Sequence, residues 1–87
     1  MDEERVRCWL VDRRARDENL VTLVYATPDG NRHLTKQLSF QVLQRREVTA
    51  ARDVPVAKLE PTPASDRDQY ATQAATMADR HDPDDPV

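Results

Sequence analysis

The sequence is short of several residue types that active sites need. It has one cysteine, one glycine, one phenylalanine and no isoleucine among 87 residues. A single cysteine, Cys8, excludes an intramolecular disulfide, and no cysteines and histidines stand at zinc-ligand spacings. A single glycine excludes a glycine-rich phosphate loop, and the two histidines, His33 and His81, lie far apart in the chain. We therefore predict no catalytic residues, no metal site and no cofactor, and we expect a non-enzymatic protein without a small-molecule substrate.

Long apolar segments are missing as well. No apolar run approaches the roughly 18 residues that a membrane-spanning helix needs, and the N-terminus lacks the apolar part of a signal peptide. We therefore expect a soluble, cytoplasmic protein with no membrane partner. A chain this short forms one small domain that buries a modest fraction of its surface. A protein partner or a homodimer would add the burial that the chain alone lacks.

Lysine is scarce, with 2 lysines against 11 arginines and 11 aspartates against 5 glutamates. Many aspartates with few lysines are typical of proteins from a high-salt cytoplasm. Residues 1–52 carry 10 basic and 8 acidic side chains, whereas residues 53–87 carry 3 basic and 8 acidic ones. The charge pattern thus predicts a mildly basic body and an acidic tail.

A β-hairpin is the clearest local feature. Residues 20–26 are apolar and rich in β-branched side chains, residues 32–39 alternate leucine with polar residues, and Pro28-Asp29-Gly30 between them is a turn sequence. We predict a type I turn with Gly30 at positive φ in a bulge. This turn pairs Val24 with Leu34. One face of the hairpin then holds Leu20, Val24, Ala26, Leu34 and Leu38, which we expect to be the core.

A two-residue Asp-Gly loop is the alternative, and it would place Tyr25 opposite Leu34. We disfavour this register because Pro28 would then stand where an N–H must close the hairpin.

The remaining pattern predicts an α+β fold: a three- or four-stranded antiparallel β-meander with a short helix on one face and a C-terminal helix. The further predicted elements are a strand at Arg5–Val11, a loop at Asp12–Asn19, a helix at Phe40–Arg46 with Ser39 as its N-cap, a short strand at Val48–Arg52 and a helical turn within Asp53–Glu60. We divide the chain into a small α+β domain at 1–60, a proline linker at 61–64, a helix at 65–81 and an acidic disordered tail at 82–87. Ser65 and Asp68 resemble a capping box at the start of that helix.

Three segments resemble a group of short, uncharacterised proteins from halophilic archaea. The matching residues are Val21-Thr22-Leu23-Val24-Tyr25-Ala26-Thr27-Pro28-Asp29-Gly30, Leu34-Thr35-Lys36-Gln37-Leu38 and His81-Asp82-Pro83-Asp84-Asp85-Pro86-Val87. The resemblance implies a source and a compartment, and it implies no activity.

One surface remains as a candidate binding site. If Val6, Cys8 and Leu10 join the leucine face, the other face of the sheet carries aromatic and basic side chains. We predict that this face is covered, either by the C-terminal helix or by a second protein chain. The leading interpretation is a small protein-interaction module, and the alternative is a single-stranded nucleic-acid-associated protein with aromatics for stacking and arginines for phosphate. The candidate binding face consists of Arg5, Arg7, Trp9, Leu23, Tyr25, Arg32 and His33.

Overall fold

The computed structural model describes residues 4–15 and 19–87. Over these residues the chain forms a five-stranded antiparallel sheet with two α-helices, the α+β class that the sequence predicts. The elements are β1 Arg5–Ala15, β2 Leu20–Ala26, β3 Arg32–Ser39, α1 Phe40–Arg45, β4 Ala51–Pro55, a 3-10 turn Val56–Lys58, β5 Glu60–Pro61 and α2 Ala64–Arg80. The strands stand in the order β4-β1-β2-β3-β5, so that β1 to β3 form a meander and β4 lies outside β1.

Several predicted bounds are wrong. Strand β1 continues beyond Val11 to Ala15, into the segment that we predicted as a loop; residues 16–18 of that predicted loop lie outside the described residues. Strand β4 occupies Ala51–Pro55 instead of Val48–Arg52. The backbone just before it is engaged by the C-terminal segment, since the Ala50 N–H donates to the carbonyl of Asp85 at 2.9 Å.

The hairpin register differs by one residue from the predicted one. Tyr25 pairs with Leu34, the register that we assigned to a two-residue loop. The connection is longer than that loop, because the Thr27 N–H donates to the carbonyl of Arg32 at 3.0 Å and closes the hairpin around four residues. Pro28 therefore lies inside the loop, where its missing N–H costs nothing.

The turn itself is as predicted. Gly30 has a φ of 75°, and its N–H donates to the carbonyl of Thr27 at 2.8 Å. The Asp29 carboxylate accepts hydrogen bonds from the Thr27 hydroxyl and from the Asn31 N–H, at 2.6 and 2.9 Å. These bonds lower the pKa of Asp29 below its ordinary value. The ionised carboxylate of Asp29 therefore stabilises the loop.

The shifted register also changes which side chains share a face, because a shift of one residue in the pairing moves every side chain of the strand to the other face of the sheet. The predicted leucine face is wrong, since Leu34 packs with the row of Tyr25 and not with the row of Val24. One side, which we name the helix face, has a core of Trp9, Val11, Val24, Ala26, Ala50, Ala51 and Ala74. The other side, the opposite face, has a core of Cys8, Leu10, Val21, Leu23, Tyr25 and Val54, with Leu34, Leu38, Leu43, Val48 and Leu59 packed against it.

The two helices begin in different ways. The Ser39 hydroxyl accepts a hydrogen bond from the Val42 N–H at 3.2 Å, which confirms Ser39 as the N-cap of α1. The predicted capping box of α2 is wrong, because α2 begins at Ala64 behind Pro63 and no side chain caps it. Proline just before a helix fixes the backbone entry without a side-chain bond.

In the described part of the chain, no helix has the length and apolar character that a membrane crossing requires.

The C-terminal segment, which the sequence indicates to be disordered, is held against residues 48–51. The N–H groups of Ala50 and Ala51 donate to the carbonyls of Asp85 and Pro83, at 2.9 and 3.0 Å. The Val87 N–H donates to the carbonyl of Val48 at 2.8 Å. Backbone bonds do not depend on side-chain hydrophobicity, so the polar composition of the segment gave no sign of this contact.

Removing residues 82–87 should therefore lower the free energy of unfolding by about 1.5–4.5 kcal/mol, because it removes these three hydrogen bonds at roughly 0.5–1.5 kcal/mol each. For a domain of this size the thermal midpoint should fall by several degrees. The exposed Asp84 side chain offers a control, and Asp84→Ala should leave the midpoint in place. An unchanged midpoint for the truncated chain would support the disordered tail.

Candidate interaction surface

The helix face is closed by the chain itself. Helix α2 lies across β1, with Ala74 only 1% exposed and Tyr70 and Met77 packed against the same cluster. Trp9 is 9% exposed beneath this helix. A small residue at position 74 allows the helix backbone to approach the sheet closely. The structure thus places the C-terminal helix over Trp9, one of the two arrangements that we expected.

The predicted binding face does not exist as one surface. Trp9 pairs with Ala26 and Leu10 pairs with Tyr25, so the two aromatic residues of the prediction lie on opposite sides of the sheet. Strand alternation places Arg5, Arg7 and His33 on the side of Trp9, and Leu23, Tyr25 and Arg32 on the other side. Trp9, Leu23 and Tyr25 are all buried. A flat aromatic platform is therefore not available on either side.

His33 and Cys8, whose side chains could take part in catalysis, have structural roles instead. The His33 ring packs edge-on against Tyr70, and its Nδ1 atom lies 3.2 Å from the Thr62 hydroxyl. Cys8 is fully buried, and its burial raises the pKa of the thiol to about 11, with Asp53 as a smaller cause. A thiol that stays protonated and out of reach of solvent is a core side chain and not a nucleophile.

The opposite face is covered only in part. We predicted that Leu34 and Leu38 would be nearly fully buried, which is wrong, since both are half-buried. The reason is the length of α1, which has only six residues and none of them buried. Phe40, the first residue of α1, is 39% exposed. Leu34 and Leu38 are therefore only partly covered, and the exposed Phe40 follows them in the chain at the start of α1; we name these three side chains the apolar strip.

A cleft of about 320 Å³ opens on this face beside the strip. Tyr25 and Leu23 form its floor, because they are 3% and 1% exposed. The guanidinium carbon of Arg52 lies 5.6 Å from the centre of the Tyr25 ring, a cation–π distance. We name this the basic cleft; its lining residues are Leu23, Tyr25, Lys36, Leu38, Arg46, Glu47, Val48, Thr49 and Arg52.

Positive charge is concentrated in the basic cleft. The pKa of Lys36 is lowered, first by its partial burial and then by the positive charges of Arg52, Arg46 and Lys58. Within residues 4–15 and 19–87, none of these four cations has a carboxylate oxygen within 4.0 Å; the ion pairs there join other residues. Glu47 lines the cleft without forming an ion pair in that part of the chain. No local sequence pattern indicates this site, because its cations come from separate positions along the chain.

Strand β3 also offers an open edge. The two-residue strand β5 pairs only with Arg32 and His33. Over the described residues, the stretch 34–39 of β3 has β2 on one side and no strand on the other. An exposed edge can pair with a strand of another chain, although a charged residue such as Lys36 in its middle opposes indiscriminate pairing.

Comparisons with known proteins identify a family without assigning a ligand or an activity. No curated protein matches the chain, and no solved structure matches it. One family model, that of a family of unknown function named DUF7967, matches residues 1–87. Since the match covers the whole chain, the protein belongs to the family of unknown function DUF7967.

Proposed function

We propose that this protein is a non-enzymatic interaction module that binds a protein partner, or a second copy of itself, through the opposite face of its sheet. The observation that carries the proposal is the apolar strip formed by Leu34, Leu38 and the exposed Phe40. The helix face has its own cover in α2, whereas the six residues of α1 leave this strip half open. The open edge of β3 borders the same strip.

The energetics favour an aromatic anchor at Phe40. Aromatic side chains bury about 150–250 Å² each and dominate interface energies. Phe40 belongs to neither core cluster and is 39% exposed, so the exposed part of its ring is open to a partner. Such a contact adds burial to a chain that buries a modest fraction of its surface.

The composition supports a cytoplasmic protein of a halophilic archaeon as part of this proposal, with 11 aspartates and only 2 lysines. In 1 M salt the Debye length falls to about 3 Å, so exposed charges attract each other weakly. Apolar contacts do not suffer this screening. The apolar strip is therefore the better source of affinity in such a cytoplasm.

Single-stranded nucleic-acid association is the second candidate. The buried positions of Trp9 and Tyr25 on opposite faces remove the stacking platform on which the sequence argument relied. What favours this function is the set of cations in the basic cleft that lack carboxylate partners in the described part of the chain. Binding of a single-stranded oligonucleotide that weakens steeply with salt would support it.

A cross-linking experiment tests the interaction module. A photoreactive residue placed at the exposed Gln41, next to Phe40, should cross-link a defined protein, or a second copy of the chain, in extract of the source organism. Phe40→Asp in the same chain should remove most of that product, because a carboxylate cannot enter an apolar contact.

Ala75→Asp is the matched control, since Ala75 is exposed on α2. This change should leave the cross-link intact, and both variants should melt near the parent. A product that survives Phe40→Asp would contradict the proposed surface, and a product that contains nucleic acid would favour the second candidate.

A further inference from the structure

The basic cleft gathers charge from three separate parts of the fold. Lys36 comes from β3, Arg46 follows α1 and Arg52 comes from β4. Lys58, at the end of the 3-10 turn, does not line the cleft but is close enough to lower the pKa of Lys36. The whole chain has a net charge of −3 with 16 acidic residues, so an excess of cations in one place does not follow from composition. The fold itself concentrates them.

This concentration destabilises the unliganded chain. The pKa of Lys36 is lowered, first by its partial burial and then by repulsion from the neighbouring positive charges, so its surroundings disfavour the ammonium form. Glu47 also lines the cleft, but within the described residues no carboxylate oxygen lies within 4.0 Å of these cations. A bound anion would offset the repulsion and favour the ammonium form of Lys36. The arrangement therefore suits an anionic ligand.

The floor of the cleft supplies a hydrogen-bond donor. The Tyr25 hydroxyl makes no hydrogen bond with any other part of the described chain. Its burial raises the pKa of Tyr25, with Arg52 acting in the other direction. The hydroxyl is thus protonated at neutral pH and able to donate to an oxygen of a ligand.

The lining indicates which kind of anion fits. Leu38 and Val48 stand beside the cations, so that part of the lining is apolar. A nucleobase would need an accessible aromatic ring for stacking, and the ring of Tyr25 is buried with Arg52 over it. Carboxylates next to an apolar side chain match this mixture, because an arginine can hold a carboxylate through two parallel hydrogen bonds.

We propose that the basic cleft binds an acidic segment of the protein partner, in which carboxylates flank an apolar side chain. The inference rests on the interaction function proposed above. The cleft lies beside Leu38, which also belongs to the apolar strip. One partner can therefore contact both, with its apolar residues on the strip and its carboxylates in the cleft.

A peptide titration of the full chain tests this inference. The probe is a capped synthetic pentapeptide of four glutamates around a central leucine, and the readout is the set of backbone amide signals in NMR spectra. The signals of Tyr25, Lys36 and Arg52 should move, while those of exposed α2 residues such as Ala75 should not. Arg52→Gln and Lys36→Gln should each weaken binding roughly 10-fold, the effect of losing one charge-assisted hydrogen bond.

Arg80→Gln is the matched control, because Arg80 is an exposed arginine on α2. It should leave both the affinity and the thermal midpoint unchanged. Arg52→Gln and Lys36→Gln should melt at or slightly above the parent, because each removes one of the mutually repelling charges. The same peptide with lysine in place of glutamate should not bind.

Three results would overturn the inference: no binding of the acidic peptide, equal binding by the Arg52 and Lys36 variants, or movement of the cleft signals with inorganic phosphate or a thymidine oligonucleotide only. The cross-link at position 41 reports separately on the interaction function. If the cross-linked product forms and depends on Phe40 but the acidic peptide does not bind, the proposed interaction function still holds and only the proposed acidic ligand is wrong.

Discussion

Replacing Gly30 with alanine should lower the free energy of unfolding by about 2–5 kcal/mol. Part of this cost, roughly 1–2 kcal/mol, arises because Gly30 has a φ of 75°, which L-residues adopt with strain. The rest, about 1–3 kcal/mol, is overpacking. A Cβ atom at position 30 would collide with the Arg67 carbonyl and lie 2.8 Å from the backbone nitrogen of Ala71. The hairpin turn packs directly on the backbone of α2, which cannot move aside as a side chain can.

Two further variants separate these causes, and urea denaturation measures each. Asparagine accepts positive φ more easily than alanine, yet it carries the same Cβ atom. Gly30→Asn should therefore avoid part of the strain but retain the overpacking, and so still destabilise the chain by about 1–3 kcal/mol. Asn31→Ala, at the exposed next position of the loop, should change stability by less than about 0.5 kcal/mol. If asparagine restores most of the parent's stability, the backbone conformation alone matters and the turn does not contact α2.

The residues around this turn show which features of the hairpin can be predicted from neighbouring residues alone. Pro28-Asp29-Gly30 predicted a hairpin with glycine at positive φ, and the structure confirms both. Turn chemistry is local, so it can be deduced from neighbouring residues. The length of the loop could not be deduced, because it depends on side-chain bonds: the Thr27 hydroxyl accepts the Arg32 N–H at 3.2 Å, and Asp29 accepts from both sides. These bonds favour a four-residue loop over the three-residue loop that the pattern suggested.

This one-residue difference in loop length made the predicted faces of the hairpin wrong. Strand side chains alternate with a period of two, so the slip moved Leu34 from the row of Val24 to the row of Tyr25. The placement of Trp9 and Tyr25 on opposite sides has a separate cause, the pairing of β1 with β2, in which Trp9 stands opposite Ala26 and Leu10 opposite Tyr25. The prediction of the α+β class is nevertheless confirmed, since the class depends on which helices and strands form and not on the register of the strands.

The basic cleft illustrates a different limit. Its lining cations at positions 36, 46 and 52 are 10 and 6 residues apart and belong to different parts of the fold. Only the path of the chain from β3 through α1 to β4 brings them around Tyr25. Clusters that tertiary structure assembles leave no periodic trace in the sequence. The acidic net charge of the chain pointed away from them.

Replacing Ala74 with arginine should have the other large effect, a loss of about 3–5 kcal/mol in the free energy of unfolding. Ala74 is 1% exposed and packs in the cluster that contains Trp9, Val24 and Ala26. A guanidinium at this position would be buried among apolar side chains without a partner, which is among the most destabilising changes known. Helix α2 would have to leave the sheet to return the charge to water.

Ala75→Arg controls for helix propensity and charge, because Ala75 is the exposed neighbour on the same helix. It should leave the thermal midpoint nearly unchanged. Tryptophan fluorescence gives a second readout, since Trp9 is the single tryptophan of the sequence. Its emission should shift to longer wavelength in Ala74→Arg and stay in place in Ala75→Arg. If Ala74→Arg melts within a few degrees of the parent and the emission does not move, α2 does not cover Trp9. The helix face would then be open, and the nucleic-acid function would regain an aromatic side chain for stacking.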